Sequence, residues 1–200
     1  MAVYGGGDWA NVRLRLGAAF THHAITTTRT PTFPGFAETL TARYEGATAQ
    51  AFGQVGYNID VGPVGVEPFA GLAGILEQTS AYGETGGISA LTGGPTSSSA
   101  VVATLGVRIS GDFVLSDNLK VKAHGSLAWE HAIGATATAT HAFAGSPQFT
   151  VAAAPPPNDA LNLQLGAAVE LADNAHLDLS YSGRFAGGGN AHALRATLSV

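Results

Sequence analysis

Several short stretches carry residue types from which chemistry is built. His22-His23 resembles a metal pair, but neighbours on an extended strand point to opposite faces and cannot share an ion. They are expected to be polar residues at the start of a loop. His124 and Glu130 have the same parity, yet six residues of strand set them roughly 20 Å apart, too far to share a proton or a metal. Glu170 and Asp178 lie on either side of the short ADNA connection, and two approaching carboxylates could divide acid and base work. Ion pairing with Arg184 and Arg195 is the simpler use for them. The serines of TSSSA at 97–99 have no His and Asp in a recognisable arrangement, which argues against a serine hydrolase. GGGN at 187–190 lacks the Lys and the helix start of a phosphate loop and reads as a turn. YGETGG at 82–87 is expected to shape a hairpin, with Gly86 and Gly87 free to take positive φ. No catalytic set, metal or cofactor emerges, and the reading is non-enzymatic.

The elements that carry these residues are set by composition and alternation. Only 12% of the 200 residues are charged, about half the usual share of a soluble globular chain. The net charge of -5 offers no basic surface for nucleic acid, and with no cysteine there are no disulfides or thiols. No apolar run approaches the roughly 18 to 20 residues of a membrane-spanning helix. MAVYGGGDWANVRLRLG has no basic start, apolar stretch or small-residue cleavage site, so it is not a secretory signal.

The hydrophobicity is spread instead in period two. LNLQLGAAVEL puts Leu161, Leu163, Leu165, Ala167, Val169 and Leu171 on one face and Asn162, Gln164, Gly166, Ala168 and Glu170 on the other. HLDLSYSGRF sets Leu177, Leu179, Tyr181 and Phe185 against Asp178, Ser180, Ser182 and Arg184. AHALRATLSV sets Leu194, Ala196, Leu198 and Val200 against Arg195, Thr197 and Ser199. NVRLRLGAAF, LKVKAHGSLAW and VATLGVRIS repeat the design. Segments 43–59 and 66–76 are less clean, because Phe52 and Phe69 share a face with Gln54 and Glu67; Pro68 falls near a strand start, where its missing N–H is tolerable. Connections alternate between short (7–11, 60–65, 111–118, 172–175) and long (22–42, 77–99, 134–159), the habit of up-and-down barrels that cross an outer membrane. The long ones, with TGGPTSSS and VAAAPPP, suit exposed or lumen-folded loops.

The polar face decides between lipid and a protein core. A face meeting bulk water collects Lys and Glu, whereas this one carries scattered Arg, Gln, Ser, Thr and Gly with single carboxylates, which suits a narrow wet lumen. Arg13, Arg15, Arg108, Arg184 and Arg195 are expected to pair there with Glu67, Glu130, Glu170 and Asp178, beside Gln54, while the apolar face meets hydrocarbon. Tyr57, Trp129, Tyr181 and Phe185 are the candidate aromatic girdle residues. The fold class is all-β, an up-and-down antiparallel transmembrane β-barrel. The rival readings are a soluble β-barrel binding module and an outer-membrane barrel enzyme.

The succession TAQAFGQVGY, VEPFAGLAG, YGETGGISAL, ATLGVRIS, SLAWEHAIG, HAFAGSPQFTV, NDALNLQLGAAVEL and HLDLSYSGRF resembles the C-terminal β-domain of autotransporters, the translocator of type V secretion. The match runs in order along residues 1–200. The resemblance implies a twelve-stranded barrel in the outer membrane of a Gram-negative bacterium, with a helix in its lumen leading to a secreted passenger. It also implies outer-membrane lipid, the barrel-assembly machinery and the passenger as partners. About nine strands are present, with AVYGG as the tail of the family's fourth. The first three strands, the plug helix, the passenger and the signal peptide are expected to be missing. The family commonly closes on an aromatic residue; this chain stops at Leu198-Ser199-Val200. Self-cleavage of the passenger, which some members perform on an asparagine of the plug helix, is not carried over.

Overall fold

Strict alternation over nine or more residues is compatible only with an extended backbone, and the computed structural model is all strand where that alternation runs. It describes residues 1–116, 119–134, 136–154, 157–172 and 175–199. β1 (Ala2–Trp9) and β2 (Val12–Arg29) form the first hairpin; the short β3 (Thr32–Phe33) and β4 (Phe36–Ala37) lie before β5 (Leu40–Tyr57). β6 (Ile59–Val61) turns into β7 (Val64–Thr79), and β8 (Tyr82–Gly83) and β9 (Leu91–Gly93) occupy the next connection. β10 (Thr96–Ser116) pairs with β11 (Leu119–Gly134); β12 (Thr138–Phe143) and β13 (Phe149–Ala152) follow, then β14 (Asp159–Ala172), β15 (Ala175–Ala186) and β16 (Gly189–Ser199).

The long strands make one sheet in the order β1-β2-β5-β7-β10-β11-β14-β15-β16, each antiparallel to the next in sequence. This is the up-and-down order expected. Pro68 marks a jog in it: β7 pairs with β6 through Val66 and with β5 from Phe69 onward, so the residue without an N–H falls where the ladder changes partner. Among the described residues no helix is long and apolar enough to cross a membrane; the elements of membrane-crossing length are strands.

One face of the sheet is apolar and uncovered. Leu16, Phe20, Leu72, Leu105 and Leu165 are all about half exposed, and the register puts them on the same side. The opposite face carries Arg15, Gln54, Glu67, Arg108, Gln164 and Arg184. Leu40, the one large side chain that is completely buried among the described residues, sits at the far end of β5 on this second side, under the long connections.

The upper margin of the apolar band crosses the hydrogen-bonded rows obliquely. It falls at His22 on β2, Gln78 on β7, Ser99 on β10, Asp159 on β14 and His192 on β16. The row of His192 passes through Gly183, Leu163, Leu127 and Val107 and reaches β2 at Val12, ten residues below His22 and seven strand steps away. A drop of about 1.4 residues per strand, at ~3.4 Å rise against ~4.8 Å spacing, corresponds to strands tilted about 45° to the band. The band itself is about nine residues tall on β2 (Val12 to Phe20) and on β14 (Leu161 to Val169), the length a tilted strand needs to cross hydrocarbon.

Several expectations are corrected. The strands run well beyond the band, so the long connections shrink to residues 30–39, 80–95 and 135–158. His22 and His23 therefore lie inside β2 and not at the start of a loop, on opposite faces as their adjacency requires. The connection at 187–188, on the same side as the long ones, is a two-residue turn, so alternation of length ends there. In YGETGG, Tyr82 and Gly83 pair with Gly93 and Thr92, and of the two glycines only Gly86 has positive φ, 118°. Val200, Asp173 and Asn174 of the ADNA connection, and Pro155 and Pro156 of VAAAPPP, lie outside the described residues.

Candidate functional site

The polar face gathers its charges into two groups and a clamp among the loops. The first is built on Glu67, which is only 6% exposed although it lies on a strand of an open face. Strand parity puts Arg13 and Arg15 of β2, Gln54 of β5, Glu67 of β7 and Arg108 of β10 on one side. Arg15 grips the carboxylate with both terminal nitrogens, at 2.6 and 3.0 Å. Arg108 donates to Oε1 at 2.7 Å and Arg13 to Oε2 at 3.3 Å. Gln54 holds the two arginines in place, its Oε1 accepting from Arg108 at 2.6 Å and from Arg15 at 3.3 Å. Three guanidiniums on β2 and β10, three strand steps apart, converge on one carboxylate, as long side chains do on the concave side of a curled sheet.

The local sequence makes the room. A Cβ on Gly56 would stand 2.5 Å from Oε1 of Glu67, and a Cβ on Gly106 would stand 2.6 Å from the ring of Phe69. The Phe69 ring in turn lies 3.7 Å under the Arg108 guanidinium, a cation–π contact. Asp8 completes the group, accepting from Arg13 at 2.8 and 3.1 Å. Three arginines against two carboxylates leave one net positive charge. Beside it a polar cleft of about 510 Å³ runs past Asn11, Asn58, Ser110, Ser126 and Gln164.

The second group is smaller: Arg184 of β15 donates to Glu130 of β11 and to Asn162 of β14, the latter at 3.3 Å. The other expected pairings differ. Glu170 meets Lys120 at 3.8 Å, not an arginine, and lies opposite His176, whereas Asp178 lies opposite Ala168. Among the described residues neither Asp178 nor Arg195 has an ion-pair partner within 4 Å. Arg195 lies opposite Ser180 on β16, which among the described residues has β15 as its one neighbour in the sheet. The Glu170 and Asp178 approach therefore gives no carboxylate pair.

Above both groups the long connections fold together. β13, β12, β9 and β8 form a small sheet, and Arg29 at the end of β2 clamps it by donating to both oxygens of Glu84 (3.1 and 2.6 Å) and to the carbonyl of Ser89 (2.7 Å). The Arg29 guanidinium holds the Glu84 carboxyl below its ordinary range. Glu38 accepts from the Ser89 hydroxyl and from the N–H groups of Ile88 and Ser89, and the hydroxyl bond lowers its pKa likewise. Tyr44 stacks on Tyr82 at 4.8 Å, and Tyr82 leads on to His141 and Phe149.

Of the aromatics expected at the margins, Tyr57, Trp129, Tyr181 and Phe185 all project from the apolar face. Tyr181 starts lower than Phe185, but its hydroxyl reaches His192 at 2.8 Å, across the space that Gly183 leaves open. Sequence reasoning missed Trp9, Asp8, Phe69 as a platform, and the whole Arg29, Glu84 and Glu38 clamp. Asp8 was recoverable: β1 and β2 meet across the two residues Ala10 and Asn11, which puts Asp8 opposite Arg13. The clamp joins residues 50 and more apart in loops without periodicity, and nothing local announces it.

Chemically these groups position and neutralise one another. Among the described residues no cluster of three metal-ligating side chains occurs, and no hydrogen bond joins a serine hydroxyl to a histidine.

Two extracellular serine proteases of Serratia marcescens are each 29% identical to this chain over 201 residues. The match covers all of this chain and 19% of each relative, so the chain spans about a fifth of their length. The ferric yersiniabactin uptake receptor FyuA from Yersinia pestis superposes with a TM-score of 0.48 at 12% identity, covering 98% of this chain and 31% of that one. The family model of the autotransporter beta-domain matches residues 1–182, and the chain belongs to that family.

Proposed function

We propose that this chain is the membrane-embedded part of an outer-membrane translocator, a barrel wall that anchors a passenger and provides its route to the exterior in type V secretion, without chemistry of its own. The observation that carries the reading is the sidedness of the sheet: a buried Glu67 held by three arginines on one face, and uncovered leucines such as Leu165 on the other. Only a chain with water on the first side and hydrocarbon on the second keeps both faces satisfied.

In this reading Arg13, Arg15, Gln54, Glu67, Arg108, Glu130, Glu170, Asp178, Arg184 and Arg195 line the lumen. Tyr57 marks the periplasmic interface, and Trp129, Tyr181 and Phe185 mark the outer one. The partners are lipid, the barrel-assembly machinery and the passenger. β1 and β16 each have one neighbour in the sheet among the described residues. An unpaired ladder edge costs several kcal/mol per orphaned group in lipid, and further strands of a longer polypeptide, up to the family's twelve, would cover these edges. The protease activity in the relatives' names belongs to proteins five times the length of the match and is not assigned to residues 1–200.

The test is expression of the full polypeptide in a Gram-negative host. The expected result is a heat-modifiable species in the outer-membrane fraction, with the attached passenger open to protease on intact cells. Recovery as a detergent-independent, monodisperse protein in the soluble fraction would overturn the reading in favour of a soluble binding module.

A further inference from the structure

Beyond the charged part of the polar face, one hydrogen-bonded row changes character. Ile25 on β2 pairs with Tyr44 on β5, and the bridge between Thr41 and Thr85 carries the sheet on to β8, where Tyr82 stacks on Tyr44 at 4.8 Å. Tyr82 is in register with Gly93 of β9, Gly93 with His141 of β12, and His141 with Phe149 of β13. Residues directly opposite in a ladder share a face, and Tyr44 has the parity of Gln54, so the row lies on the polar side. A Cβ on Gly93 would collide with the Tyr82 ring; its absence lets Tyr82 lie across β9, its ring centre 6.2 Å from that of His141. His141 and Phe149 follow at 5.7 Å, and Phe143, two residues along β12 from His141, stacks on Phe149 at 5.9 Å. Ile25 lies three residues beyond His22 and Tyr82 four beyond Gln78, so the row stands outside the apolar band, at the end of the sheet that carries the long connections.

We infer that this row is a collar for an extended polypeptide leaving the lumen, the passenger in transit held by contact with the rings. The inference rests on the translocator reading above and names where along the route the moving chain is touched. A face wetted on its inner side calls for polar side chains, and nearer the membrane it has them in Arg13, Arg15, Gln54 and Glu67. None of the six positions Ile25, Tyr44, Tyr82, Gly93, His141 and Phe149 carries Asp, Glu, Lys or Arg. Tyr44, Tyr82 and His141 are half-buried in holding the loops together, whereas Phe149 and Phe143 at the end of the row stay 39% and 40% exposed.

The chemistry of the row selects its occupant. Flat aromatic rings hold apolar and mixed side chains by contact area and set no hydrogen-bond pattern that only one sequence could meet, which is what passage of a long and varied chain requires. An extended chain repeats its side chains on one side about every 7 Å, so a collar one ring deep faces a side chain at each stage of the advance. The match covers 19% of each Serratia relative, which leaves about four fifths of those polypeptides outside it, and a long polypeptide is the cargo that the proposed route must pass. A glycan is the rival occupant, and it needs hydrogen-bonding groups beside the rings. The charged groups at hand, Arg29, Glu84 and Glu38, are already bonded to one another and to the backbone of Ile88, Ser89 and Leu91.

The test uses the full polypeptide in a Gram-negative host, with a disulfide-closed domain placed in the passenger to halt export midway. The photo-reactive residue p-benzoylphenylalanine replaces Phe149 in one strain and Leu165, on the outward face, in another. Expected is a light-dependent, protease-sensitive adduct to the halted passenger from the Phe149 position, absent from the Leu165 position and lost once a reductant lets export finish. The second arm is the double variant Phe143→Ser, Phe149→Ser, followed by pulse-chase of passenger exposure to protease on intact cells. Exposure should slow by about threefold to tenfold, the size of one or two lost aromatic contacts, while the barrel stays heat-modifiable; Phe143→Trp, Phe149→Trp should keep the wild-type rate. No adduct from the Phe149 position while the passenger is halted, or a wild-type rate in the Ser variant, overturns the inference. So does an adduct that resists protease and stains as glycan. If the Ser variant yields no heat-modifiable barrel, the cross-link alone decides. Absence of the passenger from the surface of wild-type cells lacking the disulfide-closed domain instead overturns the translocator reading on which the inference stands.

Discussion

At the scale of single residues the fold turns on Glu67. A carboxylate 6% exposed, among Arg13, Arg15 and Arg108, exchanges its hydration for four charge-assisted bonds. Removing its charge leaves three guanidiniums crowded on a neutral amide. Glu67→Gln is expected to cost about 3 to 5 kcal/mol, at the level of breaking a buried ion pair, and to lower the urea midpoint of the vesicle-inserted protein accordingly. Asp8→Asn removes bonds of similar length from an exposed pair and should move the midpoint little. Equal effects of the two would mean that the convergence on Glu67 adds nothing beyond a surface pair. The membership of this cluster follows from parity alone for Arg13, Arg15, Gln54, Glu67 and Arg108, which is why it was legible in the sequence. Its centre was not, because parity places five polar groups on one side without saying which of them the others surround.

At the scale of elements, a one-residue step along a strand reverses the environment. Leu165 stands midway along the band on β14 and projects outward; Gln164 projects into the polar cleft. Leu165→Lys is expected to cost about 2 to 4 kcal/mol in bilayer stability, whereas Gln164→Lys should be tolerated. Equal tolerance would contradict lipid on the apolar face. The strands were readable because a two-residue period survives noise from Phe52 and Phe69. The loop clamp was not, since it is assembled from backbone N–H groups and distant glutamates. Its chemistry nonetheless has a clear sign. Glu84 and Glu38 have lowered pKa values in the folded chain, so their contribution is present above the ordinary carboxylate range and is lost as pH falls through the lowered values. The hydrogen-exchange protection factors of residues 82–93 should therefore fall in acid, below the ordinary carboxylate range, while those of β10 and β11 hold, and Glu84→Gln should show the lowered protection already at pH 7. Unchanged protection of 82–93 in acid would show that the aromatic stack of Tyr44, Tyr82 and His141 suffices to hold the loops.

At the scale of the whole molecule, the sequence and the register together fix a quantity that neither contains alone. The sequence says where each strand stops being apolar on its outward side; the pairing says how those points are offset. Between β2 and β16 the margin shifts by ten residues over seven steps, and a hydrocarbon slab is flat. The strands must therefore lean by about 45° for all the margins to reach one plane. Polarised infrared spectroscopy of the full chain in oriented bilayers measures this directly, since the amide I dichroism reports strand inclination to the bilayer normal. A value near 45° is expected. Strands within about 15° of the normal would put His22 and His192 at heights differing by most of the hydrocarbon thickness, and would break the assignment of the uncovered leucines to lipid. The same measurement bears on how the edges are covered: a lean of this size sets the shear per strand, and any strands that pair with β1 and β16 must continue it for the ladder to close.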